Sequence, residues 1–225
     1  LSSLEQCYRG QPRLYIQALL VSGRTMALRK DAESAAEAFA CAGESLLACL
    51  EQGAVNAEQV GCFLGLVDSL GRQELGVPVA ELLSRRTPGE GEQWVDELRL
   101  EALAVLGIGL FRQSRLDEAE PVLQRAAAEA TRRGEPKREI GALGLLAALA
   151  SAAGDPDRGA ALVQRAVELA MEQFPDAAER AGVLFEMGEA HLALGAEGPA
   201  EALFEQSVEE RSEERRVGKE CATGC

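Results

Sequence analysis

A repeat with a period of about 41 residues constrains this chain more than any other feature of its sequence. The segments 98–130, 139–170 and 179–210 each read as an apolar helix, a short turn and a second helix. In each segment a small residue is followed 12, 16 and 19 positions later by a matching set. The sets are Gly107/Ala119/Leu123/Ala126, Ala147/Gly159/Val163/Ala166 and Gly188/Ala200/Phe204/Ser207. The last members lie 40 and 41 residues apart, which predicts successive helical hairpins.

An earlier unit fits the same template, with Gly23, Ala35, Phe39 and Ala42 at the four positions. Between it and the later units lies room for one more hairpin, over residues 57–86, where the pattern is degenerate but still reads as helix, turn, helix. We expect the small residue of each first helix to form a notch that an alanine of the second helix fills. The chain is therefore predicted to contain about five hairpins.

The turns between helices carry the residues that helix ends require. Gly154 can end one helix in the left-handed conformation, Asp155 can cap the next, and Pro156 suits its first position. Gly134 and Gly195 are predicted to end helices in the same way.

The segments LGIGL (106–110) with DEAEPVLQRA (117–126), and MGEAH (187–191) with PAEALFEQS (199–207), resemble tetratricopeptide (TPR) repeats. The family repeat is about 34 residues long; the longer period here is similar to the extended-helix TPRs of kinesin light chains and of large bacterial signalling regulators and ATPases. The resemblance covers residues 13–210. It implies an all-α fold, an α-solenoid of about five antiparallel helical hairpins wound as a right-handed superhelix.

The resemblance also implies a partner-binding concave face, lined by the first helix of each hairpin. The candidate contact residues are Glu101, Ile108, Phe111, Arg112, Phe185, Glu189 and Leu192. The matching positions contain one arginine, no lysine and no asparagine, so a clamp for a carboxylate is disfavoured. The apolar members suggest a groove for a partner's helix. The alternative is that they pack against neighbouring repeats.

Charge and hydropathy exclude two classes of partner. The net charge is −14 and the sequence pI is about 4.7, so this segment is not expected to bind nucleic acid. The longest uncharged stretch, 141–154, is too short to cross a bilayer, so no membrane association is expected. Partners are expected to be proteins, peptides or domains of the same chain.

The cysteines indicate a compartment. Cys7, Cys41, Cys49 and Cys62 show no CxxC spacing and are interpreted as small core residues of a reducing, cytoplasmic environment.

No catalytic pattern is found in the sequence. The single histidine, His191, lies in an apolar helix without a nucleophile at a recognisable spacing, so packing or a helix–helix hydrogen bond is the preferred interpretation. The cysteines and the one histidine are too scattered to predict a metal site. We therefore predict a chain that is not an enzyme and that uses no cofactor and no metal.

The segment RSEERRVGKEC, residues 211–221, matches in all eleven residues the translation of a widely used sequencing adapter. We interpret 211–225 as a non-native tail, 13–210 as the repeat domain and 1–12 as a ragged fragment edge. The natural chain is expected to continue beyond Glu210 and upstream of Leu1. A charged capping helix or an interaction tail are the alternative interpretations of this segment.

These features predict a non-catalytic protein–protein interaction scaffold, the TPR segment of a larger signalling or regulatory protein. The alternative is an inhibitory or ligand-sensing module that controls an attached kinase, ATPase or DNA-binding regulator.

Overall fold

The protein is described by a computed structural model that covers Tyr8 and residues 10–52, 57–87, 93–193 and 197–223, with backbone only at Ala190, Ala193 and 213–223. These residues form ten α-helices and no strand. The helices are α1 (Pro12–Leu28), α2 (Ala32–Glu51), α3 (Ala57–Ser69), α4 (Gln73–Arg85), α5 (Gln93–Arg112), α6 (Leu116–Arg133), α7 (Pro136–Ala152), α8 (Pro156–Gln173), α9 (Ala177–Ala193) and α10 (Glu197–Thr223). For these residues the predicted all-α fold is confirmed; the handedness of a superhelix stays a prediction.

The chain divides into two compact units, Leu1–Ala119 and Glu120–Cys225. In the first unit α1 packs on α2, and α3 packs on α4. Alternate helices also meet, since α1 contacts α3, α3 contacts α5, and α2 contacts α4. The unit is therefore a stack of helices in two layers, and the segment 57–86, which is degenerate in sequence, contributes one helix to each layer.

Glycines allow two close helix contacts in the first unit. A Cβ atom on Gly23 would lie 2.8 Å from Cε1 of Phe39, so the ring of α2 occupies the notch on α1. On α5, a Cβ atom on Gly109 would lie 2.9 Å from the carbonyl oxygen of Gln73, at the start of α4. Both distances are shorter than carbon–oxygen or carbon–carbon contacts allow, so these helix pairs approach as they do because the side chains are absent.

In the second unit α7 pairs with α8 and α9 pairs with α10, while α9 also packs on both α7 and α8. Its buried core joins residues of all four helices: Ile140, Ala166, Leu169, Ala170, Phe174, Val183, Leu184, Met187 and Leu203. In the α9–α10 hairpin a Cβ atom on Gly188 would lie 2.6 Å from Cε1 of Phe204. In the α7–α8 hairpin the glycine is on the second helix, where Gly159 lies against Ala147 and Ser151.

The expectation that an alanine fills each notch is wrong for two hairpins. In α1–α2 and in α9–α10 the notch is filled by the aromatic ring 16 positions after the glycine, Phe39 or Phe204. An aromatic ring buries more surface against the helix at this point than the methyl group of an alanine would, and protein interiors are close-packed.

Four of the turns between consecutive helices end the preceding helix in the same way. Their left-handed residues are Lys30, Gly71, Ser114 and Gly154, with φ values of 63°, 64°, 59° and 84°. The residue after each one donates its N–H to a carbonyl five positions earlier, at N···O distances of 2.7 to 3.0 Å. The predicted left-handed Gly154 is confirmed, and so is Gly134, with φ 66°. Gly195 lies outside the described residues.

Helix starts also agree with the sequence. Asp155 accepts a hydrogen bond from the N–H of Arg158 at 3.1 Å, and Pro156 begins α8, as predicted. Asp31 caps α2 and Asp176 caps α9 by the same contact, to Ser34 and Glu179. At the other end of the chain, the backbone of α10 stays helical to Thr223, through most of the segment interpreted as adapter-derived.

Candidate partner-binding surfaces

An exposed apolar surface of the second unit lies on the α9–α10 hairpin. Gly188 of α9 has no side chain, and the ring of Phe204 from α10 fills that space. The ring of Phe185 then packs on Phe204, with centroids 5.3 Å apart and planes tilted by 50°. Phe185 is 43% exposed, Leu192 52% and Val208 65%. Side chains of this size are rarely left in water together without a partner, so this surface is a candidate interface.

A groove of about 660 Å³ lies beside these residues. Its apolar lining is Leu192 from α9 and Ala200, Phe204 and Val208 from α10. The three α10 residues are spaced four apart, so they form one stripe along the helix. Its polar lining, among the residues that the structure describes, consists of the carboxylates of Glu197, Glu201, Glu205 and Glu209. The groove therefore combines an apolar stripe with an acidic row.

Three of the predicted contact residues lie on α9 and are accessible. Phe185 and Leu192 are half-exposed, and Glu189 between them is exposed. Sequence reasoning assigned the contact face to first helices, however, and so did not include Phe204 or Val208 of the second helix. The signal was present in the sequence: an apolar residue and a glutamate recur together every four residues along 197–209.

The other four predicted residues lie on α5, in the first unit. Arg112 donates a hydrogen bond to the carbonyl oxygen of Gly71 and lies 3.9 Å from a carboxylate oxygen of Glu74. Its guanidinium therefore holds the turn between α3 and α4. The Glu101 carboxylate lies beside Gly65 of α3, 3.6 Å from the position of a Cβ atom. Ile108 and Phe111 are half-buried. These contacts are internal to the unit.

A second groove, of about 350 Å³, lies between α1 and α3. Its apolar lining includes Leu20, Val21 and Leu66, and its charged lining is Arg13, Arg24 and Glu58. The two helices are joined here by Gln59, whose amide donates to the carbonyl oxygen of Arg13 at 2.7 Å. Sequence reasoning missed this groove, because its polar residues are scattered over two helices with no shared motif.

The prediction that Cys62 is a core residue is wrong. Cys62 is exposed at the edge of this second groove, whereas Cys49 is buried and Cys41 is half-buried. On α3 the core face is formed by Val60, Phe63, Leu64 and Val67. Position 62 falls on the opposite side of that helix. Cys7 lies outside the described residues.

His191 is completely buried in α9, as the packing interpretation requires. The predicted helix–helix hydrogen bond is not seen, since neither ring nitrogen has a partner among the described residues. Burial lowers the pKa of His191 below its ordinary value, so the ring is neutral at pH 7.

Two further searches concern metals and membranes. Among the described residues, no group of three or more His, Cys, Asp or Glu side chains is arranged to hold a metal ion. In the same part of the chain, none of the helices combines the length and apolar character needed to cross a bilayer.

No protein-family model matches the chain, and no curated protein is similar to it in sequence. The likeness to TPR repeats therefore rests on the residues quoted above.

Proposed function

We propose that this chain is a non-catalytic, TPR-like interaction module that binds a partner protein through the α9–α10 hairpin. The observation that carries the proposal is the groove of about 660 Å³ between Leu192 and the α10 stripe, in which Leu192 is 52% exposed and Val208 is 65% exposed. Burial of apolar surface favours association, and a contiguous exposed apolar surface on a folded domain is typical of protein interfaces. In a longer signalling or regulatory protein, the module would serve as the scaffold that holds this partner.

The shape of the surface favours a helical ligand over an extended one. Both sides of the groove are helices whose backbone hydrogen bonds are satisfied internally, so a strand could not add to them. A helix can place its side chains between Leu192 and the α10 stripe. The ligand is therefore expected to be an amphipathic helix with apolar residues three and four positions apart.

A displayed library of amphipathic helical peptides tests this function. Peptides are selected on the wild-type protein and then depleted on a double variant, Leu192→Asp with Val208→Asp, which makes the stripe polar. Both side chains are at least half-exposed, so the variant is expected to fold. The matched control is Met171→Asp on α8, where an equally exposed side chain lies outside the groove lining.

We expect the selected peptides to bind the wild type and Met171→Asp alike, with dissociation constants on the order of micromolar, and to lose binding to the double variant. Calorimetry measures the affinities, and circular dichroism confirms that each variant is folded. The proposal fails if no peptide is enriched, or if the enriched peptides bind the double variant equally well.

A further inference from the structure

We propose that the occupant of the α9–α10 groove is a basic amphipathic helix of a partner protein. The inference rests on the proposed function and adds the chemistry of the ligand.

The hairpin before this one indicates what kind of element covers the groove. In the α7–α8 hairpin, Gly144 is covered by α9, with Met187 Cγ 3.7 Å from the position of a Cβ atom. Val167 of the same hairpin is partly buried against the core that α9 completes. Forty-one residues later, the equivalent positions are Phe185 and Val208, and both are exposed. The face that a helix covers on one hairpin is therefore exposed among the described residues of the next.

The acidic row specifies the charge of that helix. Glu197, Glu201, Glu205 and Glu209 follow one another at four-residue spacing along α10, over about 18 Å at the rise of an α-helix. None of these carboxylates makes an ion pair with a side chain that the structure describes. Like charges four residues apart repel each other and destabilise a helix. Lysine or arginine side chains on a bound helix would remove this repulsion.

The repeat itself does not require the acidic row. At the same four positions, 41 residues earlier, α8 carries Pro156, Ala160, Gln164 and Glu168. Only one of them is acidic, although both helices are the second helix of their hairpin. The row is therefore absent from the preceding hairpin, and it lines the same groove as Phe204 and Val208.

Charge repulsion makes a second copy of the chain a poor occupant of the groove. The chain carries a net charge of −14, and a dimer formed through this groove would bring two acidic rows together. A basic helix instead places apolar residues on the stripe and cations against the row. Charge complementarity of this kind steers association and selects the partner.

Three synthetic peptides of about 18 residues, five helical turns, test the inference by calorimetry with the full chain. They share one leucine face and differ on the opposite face, which carries lysine and arginine, glutamine, or glutamate. We expect the basic peptide to bind at least about tenfold more tightly than the glutamine peptide, and the acidic peptide to bind weakest. The advantage of the basic peptide should shrink as salt is raised from about 0.05 M to about 0.5 M, because added salt shortens the screening length.

Charge-reversal variants locate the effect. Glu201→Lys with Glu205→Lys should weaken the basic peptide about tenfold and strengthen the acidic one. Glu168→Lys with Glu172→Lys on α8 makes the same change of net charge outside the groove lining, and should leave the preference unchanged. All four side chains belong to exposed residues, so both variants are expected to fold.

Each contrary outcome has a distinct meaning. If the glutamine peptide binds as tightly as the basic one, or if the α8 control has the same effect as the groove variant, the inference is overturned while the proposed function stands. If library selection yields binders but the basic peptide does not bind, only the inference fails. If sedimentation shows a dimer that Val208→Asp dissociates, the occupant is a second copy and the inference is overturned. If neither the library nor any peptide binds, both fail.

Discussion

The side-chain position of Gly188 is occupied by the ring of Phe204: a Cβ atom there would lie 2.6 Å from Cε1 and 2.8 Å from Cδ1. One glycine on α9 therefore sets the distance to α10. It also presents Phe204 to Phe185 and to the groove, since the ring that fills the notch is the ring that lines the surface. Hairpin packing and the candidate interface depend on the same contact.

We expect Gly188→Ala to destabilise the protein by about 1–3 kcal/mol, because the added methyl group overpacks the contact with Phe204. Gly182→Ala is the matched control in the same helix, where a Cβ atom would meet nothing within 4 Å. That variant should stabilise the protein by about 0.5–1 kcal/mol, since alanine loses less entropy in a helix. Urea unfolding measures both. Equal effects of the two substitutions would show that the notch is not needed.

The left-handed turns make a second prediction. Ser114 and Lys30 adopt φ values of 59° and 63°, which cost non-glycine residues about 1–2 kcal/mol. Ser114→Gly and Lys30→Gly should each stabilise the protein by about 0.5–1 kcal/mol, because the strain removed exceeds the backbone entropy that glycine adds. The control is Arg29→Gly, one position earlier, where φ is −83° and glycine brings only the entropy cost. Thermal unfolding distinguishes them; a loss of stability at position 114 or 30 would contradict the assigned conformation.

His191 makes the stability of the fold depend on pH. Burial lowers its pKa in the folded state, so the unfolded chain takes up a proton first as pH falls through about 6.5. The neutral ring's contribution to the free energy of unfolding is fully present above that pH. It is lost as pH falls toward the lower pKa of the folded state. Below about 6.5 the wild type should therefore lose stability progressively. His191 is the single histidine of the chain, so this effect is separable from the titration of carboxylates at lower pH.

The test is His191→Leu, which keeps an apolar side chain of similar size and removes two buried nitrogens. We expect this variant to be more stable than the wild type by about 1–3 kcal/mol at pH 7, and the difference to widen between pH 7 and pH 5. Denaturant unfolding at each pH gives the difference. A difference that stays constant over this range would show that the protonation of His191 is not linked to folding.

The cysteines differ in predicted reactivity. Cys62 is exposed beside the α1–α3 groove, although desolvation there raises the pKa of its thiol and nearby Arg24 partly opposes that shift. Burial likewise raises the pKa of Cys49, which has little access to solvent. Iodoacetamide at pH 7.5, about one unit below an ordinary thiol pKa, should label Cys62 well before Cys49, and more slowly than a free cysteine.

Peptide mapping by mass spectrometry follows each thiol separately, and Cys62→Ser identifies the assigned peptide. Labelling of Cys49 at the rate of Cys62 would contradict the burial of Cys49 on α2. Protection of Cys62 by a bound peptide would assign that peptide to the α1–α3 groove, whereas a ligand of the α9–α10 groove should leave its rate unchanged.

The candidate site was only partly predictable. Phe185, Glu189 and Leu192 were chosen because they share one face of α9, and helical spacing alone is enough to identify such a face. Val208 has the same apolar character as Val167 and occupies the same repeat position. One is partly buried and the other 65% exposed, because α9 covers only the earlier hairpin. Exposure depends on which helix lies next, and periodicity carries no information about that.

By itself, the sequence determined the helices, their hairpin order and several of their ends. Apolar periodicity, the recurring small residues, Gly154 and the Asp155–Pro156 cap act within one or two turns of chain, so they can be recognised without a fold. Only the tertiary structure showed that aromatic rings fill the notches, that Lys30 and Ser114 adopt a glycine-like conformation, and that Arg112 holds the α3–α4 turn. These depend on contacts between residues distant in sequence or on a backbone conformation that the turn imposes. Local residue preference specifies elements, and long-range packing decides which surfaces stay open.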